Sequence, residues 1–363
     1  MEKPTLLGVL DLSVGTTEPS FDSIVKGEVF MNSSTKIVFL QFRLLAGLAF
    51  AVSLAACGSG GGGSTNIVPK STQPVATTRQ PLVINRSAAA AVLSKVSHAT
   101  AHYAPMIGAK ARLLDLRQRR PLTVAAGNDL SYYGGPTQTG GSEYNILVNC
   151  ADESCWGGKI TQYENDMQSS VMIGIVNQYG AGGQYAAGGD YPVSYNTSAT
   201  LQDADIFNII HSVVTTYGLP TGYGAQYHVF LGSGVQQCST SAGGCYAVQY
   251  CAYHGSNDYT DIGHVLYSTE PYQNIPGCQV PSGSPQGQLA DSTASVLSHE
   301  TFETITDPDV AVNSIAWYNA TYGEIGDLCA PANGVPVGLV TLGVDTWEIQ
   351  PEYSNAVSDC SYQ

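Results

Sequence analysis

The densest chemistry in the chain lies at His299-Glu300-Thr301-Phe302-Glu303. His299 and Glu303 stand four residues apart, so in a helix they share one face, one turn above the other. Two donors at that spacing can grip one metal ion. Glu300, beside the first donor, then stands where a general base reaches a water held by that ion. The arrangement is that of an HExxH zinc helix with a carboxylate in place of the second histidine. That exchange adds negative charge at the ion and makes a held water a poorer acid. The setting favours a cation: Val296-Leu297-Ser298 precede the motif, Phe302, Thr304 and Ile305 run through it, and no lysine or arginine stands near to pair the carboxylates. Crowded carboxylates away from water are costly unless a cation neutralises them.

A helix must carry this motif. Asp291, Ser292 or Thr293 is its expected cap, Leu289, Val296 and Ile305 supply apolar packing, and Pro308 disfavours helix at Asp307. Around it the patterning predicts a strand at 145–150, a helix over 160–179 and a helix over 204–217 capped by Asp203. Strands follow at 227–231, 246–253, 264–268, 337–342 and 346–353. Helices and strands intermix without a repeated βαβ rhythm, which places the chain in the α+β class, expected as a single disulfide-rich, zincin-like domain with a mixed sheet.

With 363 residues, 43% hydrophobic and only 12% charged, the chain has the composition of a packed globule, and 40 glycines with 22 tyrosines point to many turns and strands. Charge is unevenly spread. Residues 65–120 hold Lys70, Arg79, Arg86, Lys95 and five further basic residues against Asp115, whereas across 121–363 Lys159 is the one basic residue against 23 acids, a net charge near −22. Such a surface excludes a nucleic-acid partner. Crowded carboxylates have folded-state pKa values raised above their unfolded ones, so an acidic extracellular habitat is the expectation.

The N-terminal region sets the compartment. Residues 31–56 carry Lys36 and Arg43, an apolar run, and then Leu54-Ala55-Ala56-Cys57, the layout of a secretory signal ending in a lipobox. The run is shorter than the ~20 residues a spanning helix needs. It resembles a bacterial lipoprotein signal, which implies cleavage before Cys57, lipid on that thiol, membrane attachment through the lipid, and a place in the cell envelope facing the periplasm or the outside. Residues 1–30 match no part of such a signal, and Met31 is a candidate start. The expected division is therefore a signal region at 1–56, then lipidated Cys57, a Gly/Ser tether and a basic Ala-rich spacer or pro-segment at 57–120, and an exported domain at 121–363. The other eight cysteines form an even set with no CxxC pair, so four disulfides are expected, Cys150–Cys155 among them.

Several motifs together carry a resemblance. LSYYGGPTQTG at 130–140, CAYH at 251–254, SHETFETITDPD at 298–309, AWY at 316–318 and GEIGDLC at 323–329 resemble the EXORDIUM, or phosphate-induced protein, family and its bacterial relatives over roughly 130–360. The resemblance implies a secreted or wall-associated protein. It matches the HExxE core to His299, Glu300 and Glu303, the following acid to Asp307, and the EIGD unit to Glu324 and Asp327. Asp309 falls ten residues after the first ligand, where metzincin-like peptidases place a third, but family members carry an apolar residue there, so Glu324 ranks above it. His98 and His102 fall in the spacer, and His211, His228 and His264 read as structural. His254, in CAYH, is held as a further ligand or a transition-state donor.

Two functions are expected. One is a zincin-like hydrolase, peptidase-like, in which His299, Glu303 and Glu324 hold zinc, Glu300 is the base, and His254 or a tyrosine steadies the oxyanion, acting on an extracellular peptide or cell-wall substrate. The other is a non-catalytic surface binding protein with a structural ion, for which calcium suits Glu303, Asp307, Asp309, Glu324 and Asp327.

Overall fold

The computed structural model describes residues 79–107, 129–182, 185–310 and 314–363, all within one compact unit, Thr72–Gln363. Cys57 and the signal region lie outside the described residues. The central sheet is built, in chain order, from β1 (Leu82–Val83), β2 (Val96–Pro105), β3 (Gly141–Val148), β4 (Tyr185–Ser194), β5 (Ala225–Leu231), β6 (Tyr250–Tyr259) and β7 (Gly263–Glu270). In space the order is β1-β4-β3-β5-β7-β6-β2. The pairs from β1 through β7 are parallel, while β6 runs antiparallel to both β7 and β2.

Helices cover both faces. α1 (Ala89–Leu93) and α3 (Asp203–Tyr217) pack on one. On the other lie α2 (Ile160–Gln168), α4 (Gln288–Thr306), α5 (Ile325–Leu328) and the strands β8 (Gly338–Leu342), β9 (Asp345–Ile349) and β10 (Glu352–Ser354). The crossover from β3 to β4 runs through α2 and that from β4 to β5 through α3, one on each face. The sheet is mixed, as expected, and the architecture around it is mixed α/β: in place of a pure α+β arrangement two βαβ units are present, but the later strands return without helices and hide the rhythm.

Three local expectations also change. The basic spacer expected over 57–120 is part of the domain where it is described: Ala89–Leu93 is one short helix, and the chain then enters β2 at the sheet's edge. The helix expected over 160–179 breaks into α2 and a 3-10 helix, Met172–Tyr179, because the Ser169 and Ser170 hydroxyls donate back to the Asn165 and Met167 carbonyls and compete with the helical ladder. The strand expected at 246–253 starts later, at Tyr250, since Ala247 at φ 63° and the Val248 N–H to Cys245 carbonyl bond make 245–249 a turn.

Four disulfides close the unit: Cys150–Cys155, Cys238–Cys245, Cys251–Cys278 and Cys329–Cys360. Each contributes about 2–4 kcal/mol, mainly by restricting the unfolded chain.

Candidate metal centre

α4 is buried along nearly its whole length, every residue from Ala290 to Thr306 being out of solvent. It begins one turn before its expected cap. Gly287 occupies the N-cap, and Asp291 instead accepts the Gln286 and Glu348 backbone N–H groups. It ends as expected at Asp307. Leu297, Phe302 and Ile305 hold it in the apolar core, and this turns His299, Glu300 and Glu303 towards the sheet.

Beneath it the sheet is polar. Pairing sets Asn145, His228, Ser268, His254 and His102 side by side across β3, β5, β7, β6 and β2. Because strand side chains alternate, this row shares one face, the face under α4. His254 Nε2 lies 2.9 Å from Glu324 Oε2 and 3.5 Å from Glu303 Oε2, while His299 Nε2 lies 3.0 Å from Glu303 Oε1. His228 Nδ1 meets the Ser268 hydroxyl at 2.8 Å, and Ser268 donates to Glu270.

α5 supplies the other wall. Glu324 and Asp327 cap this short helix reciprocally, and the Asp327 N–H also donates to Glu303 Oε1 at 3.1 Å. Asp327 Oδ2 reaches His102 Nε2 at 2.7 Å. Gly326 fits against the His299 ring so closely that a Cβ there would stand 2.7 Å from Nδ1, and at Gly323, φ 103°, one would strike the Asp327 carboxylate. Gln350 holds the ring from behind: its amide meets His299 Nδ1 at 3.0 Å and donates to the Gly326 carbonyl, so Nε2 is the nitrogen presented to Glu303. Such outer contacts orient ligand histidines.

The electrostatics are those of an incomplete charge balance. Glu303 and Glu324 are fully buried, and neither oxygen of Glu300 meets a hydrogen-bond donor in good geometry. Burial, then the Glu303 and Asp307 carboxylates, hold Glu324 well above the usual range, and burial does the same to Glu300. Asp307 rises to about 6 by burial. His254 falls to about 3 because burial disfavours its cation, whereas at His299 the facing Glu303 outweighs burial and raises it well above 6.5. Among the described residues the basic side chains are engaged elsewhere: Arg79 against Asp190 and Tyr191, Arg86 with Asp205, Lys95 with Asp261 and Lys159 with Gln286.

Three groups of donors have atoms within 4.8 Å of one another: His299 with Glu303 and Asp327, His254 with Glu300 and Glu303, and His102 with Glu303 and Glu324. Every residue of the expected set except Asp307 and Asp309 falls in one of them. The expected trio of His299, Glu303 and Glu324 does not form a group; Asp327 takes the third place beside His299, while Glu324 joins His102. Asp307 accepts the Ala316 N–H at 2.8 Å, adjoining Glu324. Asp309 pairs with His264 at 3.0 Å and accepts from the Tyr223 hydroxyl, which removes it from the oxygen set drawn up for calcium.

Two further residues join the centre. His102 belongs to β2 and not to a spacer, and His98, Thr100 and His102 alternate in the sequence as a strand does. Tyr318 lies beside Glu324, Asp327 and Glu303, its hydroxyl pushed up to about 12 by burial and these carboxylates, and its ring stands 6.4 Å from that of His102. These two half-buried side chains form the centre's exposed rim. A second approach ends at His299: a cavity of about 40 Å³ reaches it past Val280, Pro331 and Val337, residues that also line a surface groove of about 650 Å³.

No family model, no curated protein and no solved structure matches the chain. Four disulfides are consistent with an extracytoplasmic protein. Among the described residues no helix is long and apolar enough to cross a membrane.

Proposed function

We propose that the protein is an exported metal-dependent hydrolase, peptidase-like in its chemistry, anchored through lipid on Cys57. The observation that carries this reading is the convergence of His102, His254 and His299 with Glu300, Glu303, Glu324 and Asp327 where no described lysine or arginine balances the charge. Three histidines among the donors favour zinc or a similar transition ion over calcium, which prefers oxygen alone. A divalent ion there would act as a Lewis acid on a carbonyl and lower the pKa of water.

This chain's residues supply the rest. Glu300 adjoins His254 and Glu303, and an ion at the centre would favour its ionised form and so place it to accept a proton. Tyr318, at the rim, can donate to developing negative charge on the substrate oxygen. Gln350 and Gly326 fix the His299 ring. The groove leading to His299 is lined by Ile107, Val280, Pro281, Pro331 and Val337, which suits an apolar side chain of a peptide-like substrate. The HExxE helix with its zincin-like logic, and the motifs that resemble the EXORDIUM family, support the same assignment.

Glu300→Gln tests the catalytic half. It is expected to keep wild-type metal content while hydrolysis of a fluorogenic peptide library falls by about 10²–10⁴-fold. A variant as active as wild type would leave a structural ion in a binding protein as the better reading. Cys57→Ser tests the anchor: the variant is expected to lose membrane fractionation and the mass of the lipid, and unchanged fractionation would end the lipoprotein reading.

A further inference from the structure

We propose that the centre holds two divalent cations, bridged by the carboxylate of Glu303; this rests on the metal-centre reading above and extends it.

Glu303 belongs to all three donor groups, yet each group contains a different histidine. Its two oxygens point to different partners: Oε1 lies 3.0 Å from His299 Nε2, and Oε2 lies 3.5 Å from His254 Nε2. One cation position is therefore bounded by His299, Glu303 Oε1 and Asp327. The other is bounded by His254, Glu303 Oε2 and Glu324 Oε2, itself 2.9 Å from His254 and 3.8 Å from His102. Asp327 spans the two, because its Oδ2 stands 2.7 Å from His102 while the residue groups with His299.

Unsatisfied atoms point the same way. Glu303 Oε2 and Glu324 Oε1 are buried without a hydrogen-bond partner, and so is His299 Nε2, so each position has a buried donor atom left open. A tetrahedral ion takes four ligands. One such ion would use a part of this set and leave the other carboxylates enclosed with no counter-charge, a costly state. Glu300, Glu303, Asp307, Glu324 and Asp327 carry five negative charges when ionised; one divalent ion offsets two of them and a pair offsets four. Paired ions about 3.5–4 Å apart with a shared carboxylate are a known hydrolytic arrangement that clamps both attacking and leaving oxygens.

The test is metal stoichiometry on the full chain. Protein stripped with chelator and titrated with zinc, by calorimetry and elemental analysis, is expected to bind two equivalents. His299→Ala is expected to keep one, the double variant His102→Ala/His254→Ala one, and Glu303→Ala none. Manganese-loaded wild type is expected to give the electron-paramagnetic signal of a spin-coupled pair, a readout that holds even if a variant fails to fold. One equivalent in the wild type, or an uncoupled manganese signal, overturns the pair while leaving a single-ion hydrolase standing. No bound metal at all overturns both.

Discussion

The two faces of the central sheet are made from alternate residues of the same strands, yet they carry opposite chemistry. Towards α3 the strands present Tyr144, Ile146, Val193, Tyr227, Val229, Tyr253 and Tyr267 against Ile206, Phe207, Ile210 and Val213. Towards α4 they present Glu143, Asn145, His228, Ser268, Glu270, His254 and His102. The first face is an ordinary core, whose burial of apolar surface drives folding at about 25 cal/mol per Å². The second encloses ionisable groups that cost stability unless protonated, hydrogen-bonded or neutralised. Both faces bury apolar side chains, the second around Leu147, Phe230, Leu297 and Phe302, and it is the second that also gathers the ionisable residues of the strands.

Breaking the apolar face is expected to have the largest effect on stability. Phe207, 1% exposed and edge-on to Tyr267, should lose about 3–5 kcal/mol on Phe207→Ala, measured by denaturant unfolding. Metal content of the folded fraction should not change. A fall in metal content would show that the two faces are coupled.

The polar face should reveal itself in the pH dependence of the metal-free chain. Burial raises Glu143 and Glu270 to about 7 and Asp190 to about 6. Their folded values exceed their unfolded ones, so the stability they contribute is complete below about pH 4 and is lost as pH rises through 6 and 7. His228 and His254, lowered to about 3 by burial, act in the opposite sense, adding stability as pH rises towards 6.5 and nothing further above it. Melting temperature with chelator present should therefore fall by several degrees between about pH 6.5 and 8. Saturating zinc should raise the melting temperature, more so as pH rises, because an ion binds the deprotonated donors of the folded chain. A chelated protein whose melting temperature rises over that interval would contradict the account.

A smaller effect is expected at the contact that joins α4 to α5. Gly326→Ala places a Cβ against the His299 ring, and overpacking of this kind costs about 1–3 kcal/mol. Zinc affinity should drop with it, as read by competition with a chromogenic chelator. Unaltered affinity would mean that His299 has room to move.

The sequence revealed α4 and its carboxylates because the motif is local: four-residue spacing fixes a face, and Pro308 fixes an end. Cys150–Cys155 was equally legible, being five residues apart. Long-range pairing was not. The parallel order of β4, β3, β5 and β7 depends on partners far apart in the chain, and nothing within any one strand encodes it. His102 was lost for a related reason. The alanines around it favour helix locally, and only the ladder with β6, about 150 residues away, makes the segment a strand. Glu324 lies beside His254 and His102 and not beside His299, an arrangement that depends on how α5 packs, which spacing along the chain does not determine.

The position of β2 at the sheet's rim has a practical consequence for anyone preparing this protein. A shortened chain begun at residue 121 would uncover β6 along ten residues and leave its backbone N–H and C=O groups free to recruit a strand from another molecule. Thr100 fits against Gly255 so tightly that no side chain could replace that glycine, so β2 is a fitted cover for this border. Removing it would delete His102 and turn a protected border into an adhesive one, and the resulting aggregation could be mistaken for an intrinsic insolubility of the protein.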